Sequence, residues 1–230
     1  MAIKHVLLDL DDTLFDFHYS ESLSLARTLK TIGIAPTEEN IDLYSAINRR
    51  CWEALERGEM TREAVLSERF RIFFDTLGVK ADPLRAKETY ESLLSECHHM
   101  VEGAMELILA LKGRYTLSIA SNGTARVQDK RLAASGIVPH FDHIFISERM
   151  GADKPSEAFF EGCLDALGNP PKSEVIIVGD SLSSDISGGV RFGIHTCFYN
   201  RLSVTDTGDI HPEYTAWSLK EIPKIIEGII

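Results

Sequence analysis

The chemistry-bearing residues begin nine positions into the chain, where the run Val6-Leu7-Leu8 gives way to Asp9-Leu10-Asp11-Asp12-Thr13, with three carboxylates inside four positions. An apolar interior does not hold several carboxylates without a cation, so the cluster belongs at an edge that faces solvent or metal. On an extended strand alternate side chains share a face, which puts Asp9 and Asp11 together unless the turn re-aims the second. Carboxylates that close repel, and a divalent cation or a shared proton relieves them. Three later polar turns carry complementary groups. Ser121-Asn122-Gly123-Thr124 offers a hydroxyl, an amide and backbone N–H groups suited to an anion. Lys154-Pro155 puts a lysine at a helix entrance, Pro155 being suited to the first helical position. Gly179-Asp180 with Asp185 supplies a second carboxylate pair. Each alone has a plainer reading as a cap, a turn or a surface residue. Acid, hydroxyl, lysine and acid at four successive strand ends are hard to explain by capping alone.

The elements that must position these groups follow from periodicity. Residues 20–97 read as four helices. The first has Leu23, Ala26, Leu29 and Ile32 on its apolar side and stops at Gly33. The second is capped by Thr37 and bears Ile41, Tyr44, Ile47, Cys51, Trp52 and Leu55. The third is capped by Thr61 and bears Val65, Leu66, Phe70, Phe73 and Leu77; the fourth opens at Asp82-Pro83 and bears Tyr90, Leu93, Leu94 and Cys97. From Gly103 onward the rhythm changes to alternation: helix 106–112, strand 115–120, helix 125–135, strand 143–146, helix 157–167, strand 174–178, helix 186–192 and strand 196–199. That pattern predicts an α/β fold with a parallel sheet wrapped by helices, and sites beyond the carboxyl ends of its strands. An all-helical block inserted after the first strand is a candidate second domain.

Composition narrows the function. Against 24 Lys and Arg stand 35 Asp and Glu, a formal charge of -11 that argues against a nucleic acid polymer or an anionic membrane as partner. Cys51, Cys97, Cys163 and Cys197 lie far apart without a C-x-x-C pair, which suggests reduced thiols in a cytoplasmic protein. The N-terminal apolar run is cut by Asp9 too early for a secretory signal, and no stretch reaches membrane-spanning length. The expected partner is a small phosphorylated metabolite and the expected assembly a monomer or homodimer. Asp9, Asp11 and Asp180 are hard oxygen ligands of the kind Mg²⁺ prefers, and Lys154 with the metal would neutralise a phosphate. A carboxylate held against phosphorus can act as nucleophile, with a second as acid and then base.

Asp9-Leu10-Asp11-Asp12-Thr13, Ser121, Lys154-Pro155 and Gly179-Asp180 with Asp185 resemble the four motifs of the haloacid dehalogenase (HAD) superfamily, in the same order. The resemblance implies a Rossmannoid core over residues 1–16 and 100–230 and a helical C1 cap over 17–99. It implies Asp9 as the nucleophile that forms an aspartyl-phosphate and binds Mg²⁺, and Asp11 as general acid and base, binding the metal through its backbone carbonyl. Thr13 would support the first motif. Ser121 and Lys154 would hold phosphoryl oxygens with the Asn122 amide assisting; Asp180 would ligate Mg²⁺, and Asp185 would act through water or by orienting Lys154. Dehalogenases of the superfamily lack an aspartate at the position of Asp11, so the expectation is a phosphate monoester hydrolase. Ser121-Asn122-Gly123, Lys130-Arg131-Leu132, residues 144–148 and residues 58–63 are similar to the YjjG-like nucleoside 5′-monophosphatases. Phe15, Phe17 and Trp52 would then be candidates to stack on a base, or else pack the cap and its hinge. The alternatives are a sugar-phosphate or phosphoglycolate-type phosphatase or mutase, and a phosphate-binding protein without catalysis. The topology also suggests a cap that moves about hinges near 15–17 and 101–103.

Overall fold

A computed structural model describes residues 2–229, which form two compact units: the chain up to Asp16 together with the chain from His99 onward, and Phe17–His98 between them. The second unit consists of α1 (Phe17–Thr31), α2 (Glu38–Glu56), α3 (Arg62–Leu77) and α4 (Pro83–Leu94). Three of its helix starts follow from local chemistry. Thr37 and Thr61 accept hydrogen bonds from the N–H groups of Asn40 and Ala64, and Asp82 accepts from Leu84 and Arg85 ahead of Pro83. Inside, Tyr44, Phe70, Phe73, Phe74 and Tyr90 form a cluster whose neighbouring ring centroids lie 4.7–6.0 Å apart.

The buried face of α1 differs from the expected one. Leu23 is exposed, and the face turned inward carries Ser20, Glu21, Ser24, Leu25, Thr28 and Leu29. The helix starts at Phe17, and the hydroxyls on that face satisfy themselves: Ser24 Oγ donates to the Ser20 carbonyl at 2.7 Å and Thr28 Oγ1 to that of Ser24 at 2.8 Å. Small self-bonded hydroxyls can therefore occupy interior positions that an apolar template reserves for leucine.

The first unit is a six-stranded, all-parallel sheet built from β1 (His5–Leu8), β2 (Thr116–Ser121), β3 (His143–Ile146), β4 (Val175–Gly179), β5 (His195–Tyr199) and β6 (Tyr214–Ala216), in the order β3-β2-β1-β4-β5-β6. Alternate side chains of β1 feed two separate cores: Val6 and Leu8 enter one, Leu7 the other. Helices α5 (Ala104–Leu111) and α10 (Ile222–Glu227) cover the first core through Leu107, Ile108, Ile222 and Ile226. Helices α8 (Glu157–Ala166) and α9 (Ser187–Phe192) cover the second through Phe159, Phe160, Cys163 and Phe192. Helices α6 (Ala125–Ser135) and α7 (Ser147–Met150) follow β2 and β3 directly. A strand buried on both faces reads as a continuous apolar run, which is why β1 and β4 were legible. β6 and α10 lay outside the expected pattern: β6 has three residues and α10 has six, with Pro223 in its first turn. The four cysteines are unbridged and buried. Among the described residues no helix is long and apolar enough to cross a membrane.

Candidate active site

The strand order reverses direction at β1: the chain runs outward through β2 and β3, then crosses back to β4 on the other side. In open parallel sheets this switch point leaves a crevice at the carboxyl ends of the strands. Leu8 is in register with Ile119 of β2 and Val178 of β4, and the Asp9 N–H donates to the Val178 carbonyl at 2.9 Å. Asp9 thus emerges level with the ends of both neighbours, where Ser121 and Asp180 also leave the sheet.

Lys154 ties these ends together. Its buried ammonium donates to Asp9 Oδ1 at 2.5 Å, to the Ala120 carbonyl at 2.5 Å and to Asp185 Oδ1 at 2.7 Å. An ammonium has three protons, so all its donors are committed within the protein, and Lys154 acts on a bound anion through its charge and through Asp9. Asn122 is tied to the same residue: its carboxamide donates to the Lys154 carbonyl at 2.8 Å and accepts the Lys154 N–H at 2.9 Å. The side chain expected to assist at a phosphate instead fixes the lysine's backbone. Pro155 also departs from expectation. It follows a cis peptide bond and lies two residues ahead of α8, which starts at Glu157.

The turn after β1 sends the first two acids to different partners. Leu14 and Phe15 donate back to the Leu10 carbonyl, and Asp12 takes a left-handed conformation with φ 61°. Asp11 therefore does not share the Lys154 knot. Its Oδ1 accepts from Arg131 Nη1 at 2.5 Å and its Oδ2 from Gln128 Nε2 at 2.6 Å. Gln128 Nε2 also donates to Ser121 Oγ at 3.0 Å, which accepts the Gly123 N–H at 3.1 Å as well. With both lone pairs of Ser121 Oγ filled, its remaining capacity is the hydroxyl proton, a donor for an anion.

The third acid group forms around a π turn over Leu182–Ile186, a backbone irregularity frequent at functional sites. It brings Asp185 under Gly179, where a Cβ would stand 2.1 Å from Asp185 Oδ2, so only glycine fits. Asp185 is fully buried and accepts from Ser181 N–H as well as from Lys154. Asp180 accepts from the neutral Thr13 hydroxyl at 2.9 Å. Carboxylate oxygens of Asp9, Asp180 and Asp185 lie within 4.8 Å of one another. Three acids against the single charge of Lys154 leave a surplus of two negative charges. Burial, with help from Asp185 and Asp11, pushes Asp9 up to about 8 although Lys154 pulls it back. Burial and the charges of Asp9, Asp12 and Asp185 raise Asp180 as well. Burial alone would lower Lys154, but Asp185 and Asp9 outweigh it and raise the lysine. An all-oxygen, over-charged set of this kind suits a hard divalent cation.

Several residues here were not singled out from the residue pattern. Gln128 had no role, and Arg131 stood only inside a motif. Arg201 closes the outer edge of the turn with Asp16 at 2.7 Å and Asp12 at 3.8 Å. Their available signal was spacing: Gln128 and Arg131 are three apart on α6 and share a face. Phe15, considered for base stacking, is buried in the sheet's core, with the Arg131 guanidinium 5.0 Å from its ring centroid. In the helical unit, Arg62 lies 5.5 Å over the Trp52 ring.

A parallel sheet with acids, a hydroxyl and a lysine at its switch point, joined to a separate helical unit, defines a HAD-type fold and site. The family model "haloacid dehalogenase-like hydrolase" matches residues 3–193, and the chain belongs to that family. Pyrimidine 5′-nucleotidase PynA of Streptococcus pneumoniae is 33% identical, covering 96% of this chain and 94% of its own. Pyrimidine 5′-nucleotidase YjjG of Escherichia coli is 31% identical over 96% of both chains. A magnesium-bound crystal structure of YfnB from Bacillus subtilis, for which interdomain movement is described, superposes with a TM-score of 0.93 at 34% identity, over 98% of this chain and 99% of that one.

Proposed function

We propose that this hydrolase is a Mg²⁺-dependent phosphatase that cleaves nucleoside 5′-monophosphates, pyrimidine nucleotides foremost, through an aspartyl-phosphate on Asp9. The observation that carries the reading is the separation of Asp9 from Asp11: two acids two positions apart stand in different environments, one against a buried ammonium and one on Gln128 and Arg131. Divergent environments of this kind assign different roles to like groups. Asp9, Asp180 and the Asp11 backbone carbonyl would hold Mg²⁺ with Asp185 behind them, and the bound ion would neutralise charge on the phosphoryl oxygens. Lys154 holds Asp9 with one oxygen fixed, so that the other can attack phosphorus. As the Asp9 O–P bond forms, the bond to the ester oxygen breaks, its electron pair stays on that oxygen, and the Asp11 carboxyl supplies the proton that makes the leaving alcohol neutral. Asp11, now a carboxylate, takes a proton from water; the water oxygen bonds to phosphorus and the Asp9 O–P bond breaks, releasing inorganic phosphate and restoring Asp9. The Ser121 hydroxyl donates to a phosphoryl oxygen throughout.

The test is phosphate release from pyrimidine and purine nucleoside monophosphates, sugar phosphates and phosphoglycolate, each with Mg²⁺ or EDTA. Nucleotides should lead, EDTA should abolish turnover, and Asp9→Asn should lower kcat by about 10³-fold or more with the fold retained. A sugar phosphate in the lead would discard the nucleotide and keep the mechanism. Full turnover by Asp9→Asn would discard the mechanism.

A further inference from the structure

We propose that Gln128 and Arg131 form a clamp that positions the acid–base carboxyl of Asp11 and the hydroxyl of Ser121 together; this rests on the reading of Asp11 as acid and base. The chain of contacts begins in the core. Phe15 is fully buried, and the fully buried Arg131 guanidinium stands over its ring. Arg131 Nη1 donates both to Asp11 Oδ1 and, at 2.9 Å, to Gln128 Oε1. That second bond fixes which way the Gln128 amide faces. With its carbonyl toward the guanidinium, its NH₂ must face the site, and its two protons go to Asp11 Oδ2 and Ser121 Oγ.

The clamp has a cost in space. A Cβ on Gly123 would stand 2.1 Å from Gln128 Nε2, so the turn after β2 carries glycine where the glutamine passes over it. It also has a cost in solvation, because a guanidinium taken wholly out of water loses several kcal/mol that its partners must return. A carboxyl group has about four lone-pair directions, of which the clamp uses two. The others remain for the proton exchanged with the leaving oxygen. Asp11 keeps 27% side-chain exposure while Arg131 keeps 1%, so the anchored end is interior and the working end is open. Gln128 and Arg131 are thus positioning residues: they act through Asp11 and Ser121.

The role is tested by leaving-group dependence. A nucleoside leaves as a poor alkoxide and needs the acid; p-nitrophenolate leaves well without it. Under kcat/KM, which reports steps up to phosphoenzyme formation, Asp11→Asn should lose about 10²- to 10⁴-fold on uridine 5′-monophosphate and less than about tenfold on p-nitrophenyl phosphate. Arg131→Lys should show the same asymmetry at smaller size, about 10- to 100-fold against less than about threefold; Gln128→Met should keep that asymmetry and add a loss common to both substrates, because Ser121 serves the phosphoryl group of either. If Arg131→Lys does not fold, as read by circular dichroism, Gln128→Met carries the test, since methionine is close in size to glutamine and brings no charge. Equal losses on both substrates, or none, in variants that fold while Asp11→Asn discriminates would overturn the clamp and leave Asp11's role standing. If Asp11→Asn does not discriminate, the acid–base reading fails and the clamp falls with it.

Discussion

Both units of this protein bury charge, and they do so with different consequences. In the helical unit, Arg69 is buried, with Nη1 3.1 Å from Asn48 Oδ1 and Nη2 3.5 Å from Glu91. Asn48 passes the chain on to Glu21, whose second oxygen accepts from Ser45 at 2.6 Å. Rings of Tyr90 and Phe70 flank the guanidinium at 5.2 and 5.9 Å. Burial raises Glu21 much as it raises Asp180 in the sheet unit. Burial acts on both, and the neighbours differ: Ser45 and Asn48 pull Glu21 down, whereas Asp9, Asp12 and Asp185 push Asp180 further up. Glu21 is 3% exposed and each of its oxygens accepts from a neutral donor. Asp180 lies beside Asp9 and Asp185, half-buried, with one neutral hydroxyl. A perturbed carboxylate marks a ligand site only where its relief must come from outside; where side chains already supply it, the same perturbation marks structure.

The sharpest way to break this contrast is Lys154→Met. It removes a cation that Asp9 and Asp185 both contact, so kcat/KM for a phosphate ester should fall by about 10³-fold or more and stability by about 3–5 kcal/mol. Unchanged stability in urea would mean that neither acid relies on the lysine. Next in size is Arg69→Met, which takes a buried guanidinium away from Glu91 and the Asn48 carbonyl oxygen and should cost about 3 kcal/mol. The two regions should separate in their response to Mg²⁺. Mg²⁺ at about 100 times its Kd should add about 2.7 kcal/mol to the sheet unit, in Arg69→Met as in the parent chain. Loss of that increment in Arg69→Met would show that the helical network feeds the metal site.

What could be read from residue types was local or convergent. The helix starts at Thr37, Thr61 and Asp82 were legible because a cap involves neighbours two or three positions apart. The acid turn, Ser121 and Asp180 were legible because the sheet's parallel order sends every strand end to one edge, so polar residues there converge without any knowledge of contacts; Lys154 reaches the same edge from beyond α7. The illegible parts depend on pairing at long range. Gln128 meets Asp11 across 117 positions, and nothing in α6 alone distinguishes that contact from a solvated amide. Asn122 illustrates the reverse: its type suited a phosphate, yet its two bonds to the Lys154 backbone give it a structural use of the same hydrogen-bonding capacity. The face of α1 was misjudged because serine and threonine bonded to their own helix count as polar by type while behaving as interior residues.

Glu21→Gln tests the quieter half of the contrast. Burial lifts the folded-state pKa of Glu21 above its ordinary value, with Ser45 and Asn48 pulling it back. For a carboxyl raised in this way the folded state binds more protons than the unfolded one. Its stabilising contribution is complete below the unfolded pKa, near 4.3, and is lost as pH rises through the folded value. Glutamine keeps the shape and carries no charge: its oxygen can accept from Asn48 while its NH₂ meets Ser45, whose hydroxyl turns to accept. The variant should therefore be more stable than the parent at pH 8, by up to about 1 kcal/mol, and the gap should close as pH falls toward 4. Urea midpoints across that range decide it. A parent chain more stable than the variant at pH 8 would mean that Glu21 is held ionised by Arg69. The helical network would then be an ion cluster like the one at the sheet, and the distinction between relief from within and relief by a ligand would have to be drawn from accessibility alone.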